Sequence, residues 1–420
     1  MWGEALLKRA TDKVVGKVAG TQLATLAEQV RAGGGLPLTI VLPDGAQMDF
    51  GDAPELTLTV RDPAVLSGFS QLTLGGLAEA YVEGRIDVDG DVAEAIRVAS
   101  KLVEVTGASV AARPDLAPAA HEPHADRANI SHHYDVGNGF YRLWLDEQMV
   151  YSCAYFETGA EDIDAAQRAK LDHICRKLRL ASGERFLDIG CGWGALILHA
   201  AQHYGVHAVG ITLSEQQALL ARERIAAAGL QDRVEVLLLD YRDLPQQFGE
   251  GTFDKVASIG MFEHVGLRNL PVYFATAARM LRDRGLMLNH GITSADVESR
   301  PIGSGAGDFI DRHVFPNGEL PHLGIAVREM SAAGFEIFDV ESLRPHYALT
   351  LSHWSRRLEQ RLQEAGKQVS GRTLRVWRVY LAGCSHGFAQ GWMNLYQVLG
   401  SRQVAAGATE LPLTRNWIYR

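Results

Sequence analysis

From about residue 130 onward, short apolar runs bounded by glycine or acidic residues take turns with longer stretches whose apolar positions recur at helical spacing. The runs at 185–190, 206–212, 234–240, 253–259 and 285–292 predict strands, and helices are expected near 195–204, 214–228 and 269–282. Strands alternating with helices imply a parallel sheet covered on both faces. The tail returns to strand at 335–340, reads as helical from Leu349 to about Phe388, and closes on an apolar run at 393–398. The first 110 residues differ. They open with a long helical pattern, then give an apolar run at 36–42, a turn at Asp44-Gly45, a strand at 55–61 and a helix from Ala64 to Leu77. Between Ala111 and Asp126, Pro114, Pro118 and Pro123 sit among alanines without periodicity, which marks a linker. The expected organisation is a domain at 1–110, a linker at 111–126 and a larger domain at 127–420, a division in keeping with a 420-residue chain.

The strand ending Phe186-Leu187-Asp188-Ile189 runs straight into Gly190-Cys191-Gly192-Trp193-Gly194 and then into the helical stretch from Ala195. Glycines permit a tight turn and let a ligand approach the backbone, and the helix N-terminus offers free N–H groups. Such a turn serves several nucleotide ligands, and it also forms with no ligand at all. A dinucleotide site expects an acidic residue about 20 positions after the first glycine, to hold ribose hydroxyls. Here that place is Gly210-Ile211-Thr212, followed by Leu213-Ser214, with no acid. The third strand ends in Asp240-Tyr241-Arg242-Asp243, where a carboxylate can accept the amino group of an adenine. A glycine turn, a polar second-strand end and an acidic third-strand end together favour S-adenosylmethionine over NAD.

Composition narrows the class further. With 47% hydrophobic and 22% charged residues the chain is an ordinary globular one, and no apolar run reaches the 18 or so residues needed to cross a bilayer. No signal peptide is visible at Met1-Trp2-Gly3-Glu4. Cys153, Cys175, Cys191 and Cys384 have neither metal nor disulfide spacing, so reduced thiols in the cytoplasm are expected, with no metal. A net charge of −9 argues against nonspecific nucleic-acid binding and leaves lipid open.

Four further blocks carry a family resemblance. They are Ile130-Ser131-His132-His133-Tyr134-Asp135-Val136-Gly137-Asn138, Tyr151-Ser152-Cys153-Ala154-Tyr155-Phe156, Met261-Phe262-Glu263-His264-Val265-Gly266 and Val314-Phe315-Pro316-Asn317-Gly318. In this order they strongly resemble the cyclopropane-fatty-acyl-phospholipid synthases. The stretch Gly75 to Val92, with Glu79-Ala80-Tyr81 and Gly84, is similar to the small N-terminal domain of the phospholipid-acting members, although Phe156 after Tyr155 is more usual among the mycolic-acid enzymes. The resemblance implies an α/β class I methyltransferase (Rossmann-like) doubly wound sheet with helical insertions, plus a small α+β N-terminal domain. It also implies transfer of a methylene from S-adenosylmethionine to the cis double bond of an unsaturated phospholipid acyl chain, through a carbocation deprotonated by bound bicarbonate.

Residue by residue, the family's bicarbonate-binding set matches Cys153, Glu263, His290, Ile292 and Tyr347. For the cofactor, Tyr151 and Ser152 match the methionine end, Gly190, Cys191 and Gly192 its carboxylate and amino group, Thr212, Leu213, Ser214 and Gln217 the ribose, and Tyr241 with Arg242 the adenine, beside Asp240. Asp188 is expected to anchor the glycine turn, and Ser214 doubles as a helix N-cap. Cys384 corresponds to a cysteine sometimes assigned as catalytic; a structural role is favoured, because this chemistry offers a thiolate no electrophile to trap. Tyr134, Tyr151, Tyr155, Phe156 and Phe262 supply candidate aromatic faces for a cation, some of them as plain core.

Partners follow from the same resemblance: membrane phospholipids with unsaturated acyl chains, reached by peripheral contact with the inner membrane surface, and a homodimer. The N-terminal stretch, with Trp2, Leu6, Leu7, Val14 and Val18 beside Lys8, Arg9, Lys13 and Lys17, is a candidate interfacial anchor, or else packs on its own domain. Two other readings stay open, a methylene-branching methyltransferase using the same site and a lipid-binding protein without catalysis.

Overall fold

The computed structural model describes residues 21, 23–66, 72–107, 136–403 and 411–419. The proposed N-terminal anchor, the linker at 111–126 and the block 130–135, with Tyr134, lie outside them. The chain divides into two compact units. One holds the described residues of 1–113 together with Ile302–Val314 and Val369–His386; the other holds the remainder.

In the first unit a four-stranded sheet runs in the order β2 (Gln47–Asp49), β1 (Leu38–Val41), β3 (Leu56–Val60), β4 (Ile86–Asp89), with β1 and β3 parallel and the outer pairs antiparallel. The helix expected over 64–77 is not there as drawn. A short 3₁₀ turn spans 63–66, and the helix begins at Leu74, after Thr73, whose hydroxyl accepts the Gly76 N–H at 3.0 Å, and runs to Val82. A capping threonine ahead of Leu74 outweighs apolar spacing that continued through Gly68. The unit also gathers distant sequence. Gly75 N–H donates to Ser304 O at 2.9 Å, Arg312 pairs with Glu79 at 2.8 Å, and the Arg375 guanidinium lies 4.7 Å over the Tyr81 ring. A Cβ on Gly75 would sit 2.3 Å from Gly305 O, so only glycine allows this backbone approach.

The second unit is built on a seven-stranded sheet in the order β10 (Phe335–Ser342), β11 (Met393–Arg402), β9 (Leu281–Ser294), β8 (Phe253–Ile259), β5 (Arg185–Ile189), β6 (His207–Thr212), β7 (Val234–Leu238). Strands β5 to β9 are parallel, as their helical crossovers require. The strands that alternate with helices thus pair as expected, and the sheet as a whole is mixed because β11, from the tail, runs antiparallel to both β9 and β10. Alternate residues feed opposite cores: Phe186, Ala208 and Leu288 meet the helices Ala195–Tyr204 and Glu215–Ala227 on one side, while Leu187, Val209 and Met287 meet Leu270–Met280 on the other. Helices on both faces make this the doubly wound arrangement. In the tail the predicted single helix is three, Arg344–Glu359, Leu362–Gln368 and Gly371–Gln390, the first starting five residues earlier than expected around Pro345, which suits the first turn of a helix.

Candidate active site

Three positive-φ glycines shape the turn after β5: Gly190 at +85°, Gly192 at +53° and Gly194 at +83°. The turn is tied to β6, not to Asp188. Gly190 N–H and Cys191 N–H both donate to Ile211 O at 2.9 Å, and a Cβ on Gly210 would lie 2.8 Å from Cys191 Sγ, so the position that lacks an acid is also one that has room only for glycine. Asp188 Oδ1 is buried with no hydrogen-bond partner among the described residues, and burial raises its carboxyl to about 7, partly opposed by Lys170. It is available to a ligand instead of to the turn.

The turn, the ends of β6, β7 and β8, and the segment 149–152 enclose a cavity of about 140 Å³. Tyr151, Ser152, Asp188, Gly190, Cys191, Gly192, Thr212, Leu213, Gln217, Asp240, Tyr241 and Arg242 all line it. Ser214 does not. Its hydroxyl accepts the Gln217 N–H at 3.3 Å as the N-cap of Glu215–Ala227, and its own N–H donates to Thr212 Oγ1 at 3.1 Å. Thr212 Oγ1 in turn donates to Gln217 Oε1 at 2.7 Å, which orients the glutamine. At the third-strand end Asp240 is gripped by its neighbour: Oδ1 accepts from Arg242 N–H at 3.0 Å and Nε at 2.8 Å, and Oδ2 from a terminal nitrogen at 2.8 Å. The guanidinium also lies 5.2 Å over the Tyr241 ring.

Opposite the glycine turn, residues 150–152 are held by the helix Ile163–Lys177. Gln167 Nε2 donates to Ser152 O at 2.9 Å, and Lys170 Nζ donates to Ser152 Oγ at 2.9 Å. Tyr151 packs among the rings of Tyr141, Trp144 and Trp354 at 5.4 to 5.6 Å. Trp193 and His264, both inside motifs read from the sequence, line the cavity as well, and so do Met149 and Lys170, which were missed from the sequence. A signal existed for Lys170: it falls on the buried stripe of its helix, with Ile163, Ala166 and Ile174, where a charge is out of place.

The residues matched to a bicarbonate site are linked by backbone pairing. Glu263 Oε1 accepts the Ile292 N–H at 2.7 Å; Ile292 stands opposite Leu395 in the β9–β11 pairing; Leu395 O accepts the Leu343 N–H at 2.9 Å; and Leu343 O is 3.8 Å from Cys153 Sγ and 3.0 Å from Tyr347 N. His290 lies inside β9, opposite Ile259, the last residue of β8; from there β9 continues against β11, with one bridge from Ser294 to His322 at its end. Gln397 Nε2 donates to His290 Nδ1 at 3.1 Å, which leaves the imidazole proton on Nε2. Glu263 Oε2 and His290 Nε2 are buried without a hydrogen-bond partner among the described residues. Burial raises the Glu263 carboxyl to about 7 and, with Lys170, Lys177 and His173 adding repulsion, holds His290 neutral. A neutral N–H donor and a carboxyl near neutrality, both unsatisfied, suit a small oxyanion such as bicarbonate. Tyr347 is buried with its ring 4.7 Å from that of Phe388. Cys384 belongs to the other compact unit; its thiol is buried and pushed up to about 12, so it stays protonated.

Of the candidate aromatic faces, Tyr155 is sandwiched between His173 at 4.2 Å and His346 at 4.9 Å, Phe156 stacks on His353 at 5.5 Å, and Phe262 covers Gly291, where a Cβ would come within 2.0 Å of its ring. These three serve packing in this structure.

A doubly wound sheet with a ligand cavity at its carboxyl edge is the arrangement of a nucleotide-type site, and the chain's similarities to known proteins make it that of a class I S-adenosylmethionine-dependent methyltransferase. The family model for mycolic acid cyclopropane synthetase matches residues 121–398, and a model for a domain of unknown function matches 26–106. The chain belongs to the cyclopropane synthase family. It is 49% identical over 92% of its length to a Pseudomonas putida protein named probable fatty acid methyltransferase, covering 97% of that protein. It is 40% identical to the cyclopropane-fatty-acyl-phospholipid synthase of Escherichia coli, over 66% of this chain and 68% of that one. Among solved structures, mycolic acid cyclopropane synthase CmaA1 complexed with SAH and CTAB superposes with a TM-score of 0.62 at 36% identity, over 67% of this chain and 99% of the other.

Proposed function

We propose that the protein methylates the cis double bond of an unsaturated phospholipid acyl chain and closes a cyclopropane ring, with the base seated between Glu263 and His290. The observation that carries this reading is the pair of buried, unpartnered atoms Glu263 Oε2 and His290 Nε2. Leaving such groups unsatisfied costs about 1–3 kcal/mol each, which a folded core tolerates where a polar ligand compensates it. S-adenosylmethionine, when bound, supplies a methyl group on a sulfonium; bicarbonate, when bound, supplies a base. The chain's residues do the rest. His290 offers its Nε2 proton to an anionic oxygen, and Glu263 holds or releases a proton at Oε2 near neutral pH. The backbone N–H of Ile292 fixes the carboxyl so that one oxygen stays free.

On this reading the protein works as a homodimer at the inner membrane surface, and residues 1–110 serve delivery of the lipid. Docking at the interface lets an acyl chain pass from one apolar medium to another at little cost. The Pseudomonas putida relative, named for fatty acid methylation and matched over 92% of this chain, favours a second product from the same site, a methylene-branched chain formed when the cation loses a different proton. The experiment is to incubate the protein with S-adenosylmethionine, bicarbonate and vesicles of unsaturated phospholipid. Release of adenosylhomocysteine with cyclopropyl protons in the lipid NMR spectrum supports ring closure. Vinylidene protons establish the branching reading, and absence of release removes both in favour of a lipid-binding protein.

A further inference from the structure

Two lysines on the helix Ile163–Lys177, two turns apart, are both buried, yet only one is neutralised. Lys177 is fully buried and pairs with Asp339 at 3.0 Å and Glu341 at 2.6 Å. Lys170 is 2% exposed and makes no ion pair among the described residues; its one hydrogen bond goes to the neutral hydroxyl of Ser152 at 2.9 Å. An ammonium has three donors, and a buried cation is costly unless a counter-charge meets it. Lys170 lines the cavity together with Ser152, Asp188 and the glycine turn, so its remaining donors border the space a ligand would fill.

We propose that Lys170 is a positioning residue for the cofactor, its ammonium serving as the counter-charge to the carboxylate of the ligand's amino-acid end. This rests on reading the cavity as the S-adenosylmethionine site. Adenine and ribose are neutral and the sulfonium and amino group are positive, so the carboxylate is the ligand's sole anion. Among the described residues Lys170 has no carboxylate in ion-pair contact, although Asp146 and Asp188 act on it from further away, whereas Arg242 at the third-strand end is already committed to Asp240. The lysine thereby sets the ligand's polarity, amino-acid end against Ser152 and the glycine turn, adenine end against Asp240 to Arg242. Its own charge is precarious. Burial lowers Lys170 to about 8, opposed by Asp146, Cys153 and Asp188, and its charge reaches His199 and His290 in turn.

Calorimetric titration of the wild type, Lys170→Met and Lys170→Arg with S-adenosylmethionine and with its decarboxylated analogue tests this. Lys170→Met should lose about 10²-fold in affinity for S-adenosylmethionine. It should change by less than about threefold toward the analogue, and arginine should recover most of the loss. Between pH 7 and 9 the wild type should weaken relative to Lys170→Arg, because lysine deprotonates in that range and arginine does not; the other titrating groups are common to both proteins and cancel in the ratio. Equal loss of both ligands by a folded Lys170→Met, or no loss, overturns the proposal. Should the methionine variant fail to fold by circular dichroism, a pH-independent ratio between wild type and Lys170→Arg overturns it on its own. A wild type that binds neither ligand instead removes the reading of the cavity.

Discussion

Asp240 and Glu263 are both buried carboxylates just beyond strand ends of one sheet, yet they are treated in opposite ways. Asp240 has each oxygen engaged by Arg242, two residues along the chain. Glu263 receives one N–H from Ile292, 29 residues away, and its second oxygen is left bare. The difference separates two kinds of site. The Asp240–Arg242 end of the cavity is local and already satisfied, as a preorganised surface requires. The Glu263–His290 region is non-local and unsatisfied: desolvation raises the Glu263 carboxyl to about 7 and holds the His290 imidazole neutral, so each is left with a bare polar atom.

Filling the cavity itself, from its glycine turn, should have the largest effect. Gly192→Val meets no protein atom within 4 Å of its Cβ, so the fold has room for it. The +53° φ costs a branched residue about 1–2 kcal/mol, and the side chain then occupies ligand space. We expect S-adenosylmethionine binding to vanish in calorimetry while circular dichroism keeps the wild-type spectrum. Next, Glu263→Gln and His290→Asn should each slow adenosylhomocysteine release by 10²-fold or more, on the scale of general-base loss, with cofactor affinity within about threefold of wild type. Part of the Glu263→Gln defect should respond to added bicarbonate. Loss of cofactor binding in these variants would erase the distinction between the two regions.

A subtler effect concerns stability against pH. The folded Glu263 carboxyl, near 7, lies above its unfolded value of 4.5, so between those values the native state binds more protons than the unfolded chain and stability falls as pH rises. That contribution is fully present below about 4.5 and lost above about 7, and amounts to about 3 kcal/mol. Glu263→Gln abolishes it. Its melting temperature relative to wild type should therefore climb from pH 5 to pH 8, and a constant difference would refute the desolvated carboxyl. Smallest of all, Cys384→Ala should cost about 1 kcal/mol in denaturant unfolding and a few-fold in rate. A folded Cys384→Ala as inactive as Glu263→Gln would make the thiol a participant.

The strands from 185 to 292 were legible because apolar runs bounded by glycine leave little choice of element, and the glycine turn because alternating glycines after a strand answer a steric need that other residues cannot meet. The reading failed where local preference met competition. The stretch 64–77 carries helical spacing, yet the chain starts its helix at the cap after Thr73. Asp188 stands where an anchor for the turn would be placed by proximity, while the backbone of β6 supplies the anchor. Ser214 matched a ribose contact and a helix cap equally, and the hydroxyl is spent on the cap.

By itself, then, the order of residues determined the alternating elements, the conformation of the glycine turn and the chemical types available at strand ends, since each depends on neighbours within a few positions. Only the tertiary structure decided that β11 enters antiparallel between β9 and β10, and with that insertion came the partners of His290 and Ile292. Gln397 reaches His290, and Leu395 ties Leu343, Cys153 and Tyr347 to Ile292, across sequence separations of 50 residues or more that no periodicity encodes. The same packing decided which buried charges are paired. Lys170 and Lys177 are alike in sequence and in burial, and only the strand that returns as β10, with Asp339 and Glu341, makes one of them a structural ion and leaves the other facing the cavity.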